Sequence, residues 1–103
     1  MDKSDGSLEL LPGHYPLGQV VLSRRGKDRG RFYVVVGFEK DRLALADGDR
    51  FNVSRPKRKN PRHVQRTSRC AAELVELIGA KRDIDRGRFC QVLAGLRDAP
   101  AEG

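Results

Sequence analysis

Residues 18–38 read GQVVLSRRGKDRGRFYVVVGF. Two segments rich in valine and aromatic residues, which favour pleated backbone, enclose a cationic loop. Gly26 and Gly30 inside that loop admit the positive φ that a tight turn requires. A first strand is expected at about 18–24 and a second at roughly 31–38. In the second, Phe32, Val34, Val36 and Phe38 share one parity and Tyr33 and Val35 the other, so both faces are apolar and both should be covered. Between the strands sit Arg24, Arg25, Lys27, Arg29 and Arg31, opposed only by Asp28. A strand delivering such a turn suits a polyanion, and the same composition also occurs in solvated hairpin turns.

Downstream, Glu39 to Asp41 form a polar turn, and Arg42 to Ala46 read as a third strand with Leu43 and Leu45 inward. Asp47-Gly48 between alternating segments predicts a type I′ hairpin turn into a fourth strand at Arg50 to Ser54, with Phe51 and Val53 on the same core as Leu43 and Leu45. The next stretch, RPKRKNPR, holds Arg55, Lys57, Arg58, Lys59 and Arg62, and no Asp or Glu occurs from Phe51 to Ala72. Pro56 and Pro61 oppose helix and sheet pairing there. A very short fifth strand near His63 to Gln65 would close the set. Short strands joined by tight turns, with no room for crossover helices, predict a mainly β fold built on a small barrel.

From Thr67 onward the apolar period changes from two to about 3.6. Cys70, Ala71, Leu74, Leu77 and Ile78 form the stripe of a short helix with Ser68 as cap and Gly79 as stop. Asp85 caps a second helix running to about Arg97, with Ile84 and Phe89 placed as a hydrophobic staple. Its stripe, Phe89, Val92, Leu93 and Leu96, is expected to face the first helix. The organisation is thus a disordered acidic arm at 1–13, a barrel at 14–66, a two-helix appendage at 67–98 and a disordered tail at 99–103.

The formal net charge is +7 over 103 residues, and it is unevenly placed. Residues 14–69 carry fifteen Lys or Arg against five acids, while the two flanks are slightly acidic. A cationic field concentrated in this way attracts polyphosphate or an anionic surface. Without counter-charges, the basic run after Ser54 repels itself unless a partner supplies anions. Cys70 and Cys90 have no metal-ligand spacing to His14 or His63 and read as small apolar helix residues in a reducing compartment. No apolar run approaches the ~20 residues of a membrane span, and no signal peptide is apparent. A cytoplasmic protein without metal, cofactor or membrane partner is expected.

Catalytic motifs are not matched. After Gly30 come Arg31 and Phe32 instead of the Lys and Ser or Thr of a phosphate-binding loop. The histidines lack a nucleophile in a recognisable arrangement. Nucleic-acid binding fits better, because Arg and Lys neutralise phosphates and glycines let backbone N–H groups approach the chain. Tyr33, the aromatic off the main apolar parity, is the candidate for stacking on a base, and His63 for a phosphate or base contact. RNA is favoured over DNA, since no basic helix is available for a major groove. The competing expectation is a protein-interaction module that uses the apolar edge or the helices.

The segment LGQVVLSRRGKDRGRFYVVVGF resembles the KOW motif, with Gly18 at its start and Gly30 as its glycine. With RLALADGD and the basic stretch after it, the chain is similar to bacterial KOW-domain RNA-binding proteins related to the large-subunit ribosomal proteins of the eukaryotic and archaeal fourteen-e type. The match covers roughly Leu17 to Gln65 and, more loosely, IDRGRFCQVL. The resemblance implies an SH3-like barrel binding structured, ribosomal RNA, with proteins of the ribosome or transcription machinery as further partners. Taken from the charge segregation, with Gly30 from the resemblance, the RNA-binding set is Arg24, Arg25, Lys27, Arg29, Gly30, Arg31 and Tyr33 from the first loop and its strand. Arg55, Lys57, Arg58, Lys59, Arg62, His63 and Arg66 join them from the second. A monomer is expected when the protein is free of RNA.

Overall fold

The computed structural model describes residues 15–98, so His14, the acidic arm and the tail lie outside the described residues. Five antiparallel strands form one sheet: β1 (Gln19–Ser23), β2 (Phe32–Glu39), β3 (Arg42–Ala46), β4 (Lys57–Lys59) and β5 (Val64–Cys70). Their order across the sheet is β4-β3-β2-β1-β5. Two short helices, α1 (Val75–Gly79) and α2 (Arg86–Arg97), follow.

Period-two alternation divides the apolar residues between two cores, as the valine-rich strands predict. Val20, Val34, Val36, Ala44 and Ala46 face the helices, where Leu74, Ile78, Ile84 and Phe89 meet them. Val21, Tyr33, Val35, Leu43 and Leu45 face the other way and meet Tyr15 and Val64. Residue size follows the division. The small Ala44 and Ala46 let the helices come close, whereas leucines and a tyrosine fill the second core.

The sheet is open, which corrects the expected closed barrel: β4 and β5 are its two edges and do not pair with each other. It is nevertheless strongly curled. Four flat interstrand spacings would put the edges about 19 Å apart. Only Asn60 and a single 3-10 turn, Pro61–His63, join them. The Arg24 N–H donates to the His63 carbonyl at 2.8 Å and the Lys59 ammonium to the Arg25 carbonyl at 3.0 Å, so the β1–β2 loop bridges the two edges.

Several local expectations are overturned, each for a physical reason. Asp47-Gly48 is not a type I′ hairpin, since that turn needs positive φ at both central residues and only Gly48 has it. Instead the Asp47 carboxylate accepts the N–H groups of Asp49, Arg50 and Phe51 at 2.9, 3.0 and 3.1 Å. This side-chain-built turn leads directly into a second one, closed between Asn52 and Arg55. The fourth strand therefore falls not at Arg50 to Ser54 but at Lys57–Lys59, pairing Leu43↔Lys59 and Leu45↔Lys57. Pro56 and Pro61 bracket this edge strand rather than prevent it, because an edge position does not need every N–H. Val53 consequently packs with the helix-side core, not with Leu43 and Leu45.

Phe38 is 43% exposed instead of buried. A bulge between Val35 and Gly37 shifts the register, so Phe38 lies opposite Leu43 and no longer follows the parity of Val34. β5 is longer than expected and runs to Cys70, which places Ser68 in a strand and leaves Cys70 exposed at its end rather than in a helix. The first helix shrinks to Val75–Gly79, preceded by a 3-10 turn at Ala72–Leu74, and has no side-chain cap. It ends at Gly79 as read, but Lys81 (φ 60°) rather than Gly79 takes the left-handed position beyond it.

The second helix has the expected bounds, cap and staple, but it packs chiefly on β2 rather than on the first helix. The Asp85 carboxylate accepts the Arg88 N–H, and Ile84 and Phe89 are both buried in the helix-side core. Its start is clamped to the turn after β3. The Asn52 amide donates to the Ile84 carbonyl at 2.8 Å and accepts its N–H at 3.1 Å, and Ser54 donates its N–H and hydroxyl to Asp83 at 2.7 Å each. These bonds hold the Asp83 carboxyl below its ordinary range.

Gly30 has φ +92° with nothing within 4 Å of a Cβ built on it. Gly30→Ala therefore strains only the backbone and is expected to cost about 1 kcal/mol in a urea titration. A loss above about 3 kcal/mol would mean a contact the geometry does not contain.

Candidate nucleic-acid interface

The β1–β2 loop folds back on itself through two successive turns, with the Arg29 N–H on the Gly26 carbonyl at 3.2 Å and the Arg31 N–H on the Asp28 carbonyl at 2.9 Å. This coiling drives Asp28 inward until it is only 8% exposed. There its carboxylate accepts from the Tyr33 hydroxyl at 2.8 Å, the Ser23 hydroxyl at 3.0 Å and the Lys59 ammonium at 3.0 Å. Burial by itself pushes this carboxyl up. The three hydrogen bonds and the Lys59 charge outweigh it, holding the group at about 2. Tyr33 responds in the opposite sense, its hydroxyl pushed up by burial and by the carboxylate beside it.

Two residues of the sequence-derived set are therefore structural. Tyr33 is 1% exposed and offers no face to a base, which corrects its assignment to stacking. Lys59 is 8% exposed and its charge is spent on Asp28. A salt bridge of this kind withdraws from solution one cation and the only acid of the loop. The sequence carried one unused sign of it: Ser23 and Tyr33 stand five residues before and five after the single acid among the arginines.

Around this buried pair lies a cleft of about 580 Å³ whose lining includes Lys27, Arg31, Arg50 and Lys57 above Tyr33 and Phe51. The two basic segments thus converge across one trough, with Lys27 and Arg31 from the first loop and Lys57 from β4. Arg50, which lies outside both basic segments, lines the same trough. A smaller cleft of about 300 Å³ adjoins it, lined by Arg50, Phe51, Ser54, Arg55, Pro56 and Arg58. Among the described residues no acid lines the smaller cleft and only Asp28 lines the larger.

Strand alternation decides which cations of β4 reach the larger cleft. Lys57 and Lys59 face it, and Lys57 sits 5.4 Å from the centroid of the Phe51 ring. Arg58 points away, pairs with Glu39 and reaches only the smaller cleft. That pair is exposed, as is the 3.9 Å approach of Arg31 to Asp47 on the arginine side, and exposed pairs contribute little.

The remaining predicted residues line neither cleft. Arg24 hydrogen-bonds Gln65 on β5, and Arg66 lies over the Tyr15 ring at 5.4 Å. His63 is part of the 3-10 turn and its carbonyl accepts from Arg24. Arg25, Arg29 and Arg62 are exposed. Gly30 donates its N–H to the Ser23 carbonyl at 2.9 Å, so that group is already engaged. Among the described residues no group of His, Cys, Asp and Glu could hold a metal ion, and no helix is long and apolar enough to cross a membrane. Comparison with protein-family models and with curated proteins finds no match to the chain.

Proposed function

We propose that the protein is a non-catalytic RNA-binding protein that grips ribosomal RNA phosphates in the cleft between the β1–β2 loop and β4, on an SH3-like scaffold of the KOW kind. One observation carries this. Asp28, the one acid at the cleft among the described residues, is already neutralised from within by Lys59 and reached by Lys57 only at 4.0 Å, so Lys27, Arg31, Arg50 and Lys57 present net positive charge to whatever enters. Self-repulsion among such cations is relieved by phosphates and the release of their counterions. The curled sheet and the basic loop after its first strand support the SH3-like scaffold. RNA is preferred to duplex DNA because the cleft cations come from loops and an edge strand. The longest helix spends Arg86 and Arg97 on Asp49 and Asp98.

The test is a titration of a ribosomal RNA fragment between about 50 and 200 mM salt. Four cations on single-stranded phosphates predict log K falling against log salt with a slope near −3, at roughly −0.7 per contact. Lys27 and Arg50 are both exposed, so K27E with R50E should leave the melting temperature in place. The affinity should fall by at least about tenfold and the slope should flatten. A flat salt response in the native chain, or undiminished affinity in the double variant, rules the proposal out.

A further inference from the structure

Phe51 is only partly buried against the two cores, and its ring stands at the junction of the two clefts and lines both. Resting on the RNA-binding proposal, we infer that the smaller cleft receives one unpaired base, between Phe51 and Pro56, while the adjoining phosphates lie along the larger cleft. Arg50, which also lines both, sits where base and phosphate would meet.

Three observations separate the roles of the two clefts. The smaller, about 300 Å³, is at the lower end of the sizes that enclose a small organic group, and Phe51 and Pro56 supply its apolar surface. Phe51 is oriented from the other side, by the tilted Tyr33 ring at 6.4 Å and by Lys57 over its face at 5.4 Å. Tyr33 and Lys57 line only the larger cleft, so a base in the smaller one does not compete with them. The charged groups of the smaller cleft are the guanidinium groups of Arg50, Arg55 and Arg58, which donate and cannot accept. Ser54, the other polar side chain there, donates its hydroxyl to Asp83, which leaves its oxygen as a single acceptor on the rim.

Three guanidinium groups against one hydroxyl oxygen make the rim rich in donors, which favours a base edge that accepts. Guanine presents two acceptors, O6 and N7, to a guanidinium, whereas adenine replaces O6 by an amino donor. A duplex cannot use the slot at all, because its bases are stacked inside and their richer edge lies in a deep, narrow groove.

The test uses the full chain and three labelled RNAs in fluorescence anisotropy: an adenine heptamer with one central guanine, the all-adenine heptamer, and the first annealed to its complement. The guanine strand is expected to bind at least about tenfold more tightly than the duplex, the scale of one stacked base. Phe51→Leu should remove most of that advantage while leaving the salt slope unchanged. Phe51 also packs against both cores, so a second variant is needed at a position that cannot unfold the protein. Arg55 is exposed, and Arg55→Gln should shrink the preference for guanine over all-adenine. A steep salt slope with neither preference present, or with both preferences intact in the two variants, overturns the base slot and leaves the phosphate cleft standing. A flat slope with every RNA instead overturns the RNA-binding proposal itself.

Discussion

Asp28→Ala is expected to lower the free energy of unfolding by about 3–5 kcal/mol, the range for removing one member of a buried ion pair. The loss comes mostly from what is left behind. Lys59 would keep a charge at 8% exposure without its carboxylate, and the Tyr33 and Ser23 hydroxyls would each lose an acceptor. In a domain of this size the melting temperature should drop by about 15 °C or more. Asp28→Ala combined with Lys59→Met removes both charges and should recover a large part of the loss, giving a coupling energy that a double-mutant cycle reads directly. Equal urea midpoints for wild type and Asp28→Ala would mean that the buried pair is not a structural element.

The same carboxyl makes stability depend on pH, with a definite sign. It titrates at about 2 in the folded chain and near the ordinary 3.9 in the unfolded one. A group whose pKa is lower when folded stabilises fully above the unfolded value, and that contribution is lost as pH falls from about 4 towards 2. Its size is roughly 2–3 kcal/mol. The gap between wild type and Asp28→Ala should therefore narrow on acidification, as read from urea midpoints at pH 5 and pH 2.5. A gap independent of pH over that interval would contradict the assigned hydrogen bonds.

The second large effect is expected at Gly48. A Cβ there would lie 2.5 Å from the Phe89 Cβ and 2.6 Å from its Cγ, and φ is +82°. Neither contact is with the far end of a flexible side chain, so the turn after β3 must move off α2. Backbone strain and overpacking then add, and Gly48→Ala should cost about 3 kcal/mol or more. Gly30→Ala, with similar φ and open space, isolates the strain alone. Comparable urea midpoints for the two variants would mean that α2 yields to the turn at no cost.

These two sites also mark how far the chain could be read in one dimension. β1, β2, β3 and α2 were legible because each is specified by contacts a few residues apart: period-two alternation, a side-chain cap, a staple. The turn after β3 was not, because Asp-Gly has two local solutions. The choice fell to the Asp47 carboxylate and to the docking of Asn52 and Ser54 on residues about thirty positions away. β5 was cut short for a related reason. Thr67–Cys70 has weak alternation of its own and becomes strand through β1, with the Thr67 hydroxyl and the Gln19 amide stitched across. At the candidate interface, charge density located the two basic segments but could not distinguish a solvated cation from a buried one. Lys57 and Lys59 are alike in sequence and both approach Asp28, but Lys59 is buried on it at 3.0 Å whereas Lys57 stays partly exposed at 4.0 Å.

By itself, the order of residues determined that this chain is mainly β, that its positive charge is concentrated in the middle, and that its last helix begins after Asp85. Those are properties of composition and of spacings shorter than one element. Tertiary structure decided that the sheet stays open, that Asp28 cancels Lys59, and that Lys27, Arg50 and Lys57 share one wall. Each of these depends on which strand lies at an edge and on how tightly a four-residue connection bends the sheet, quantities set by packing between distant segments.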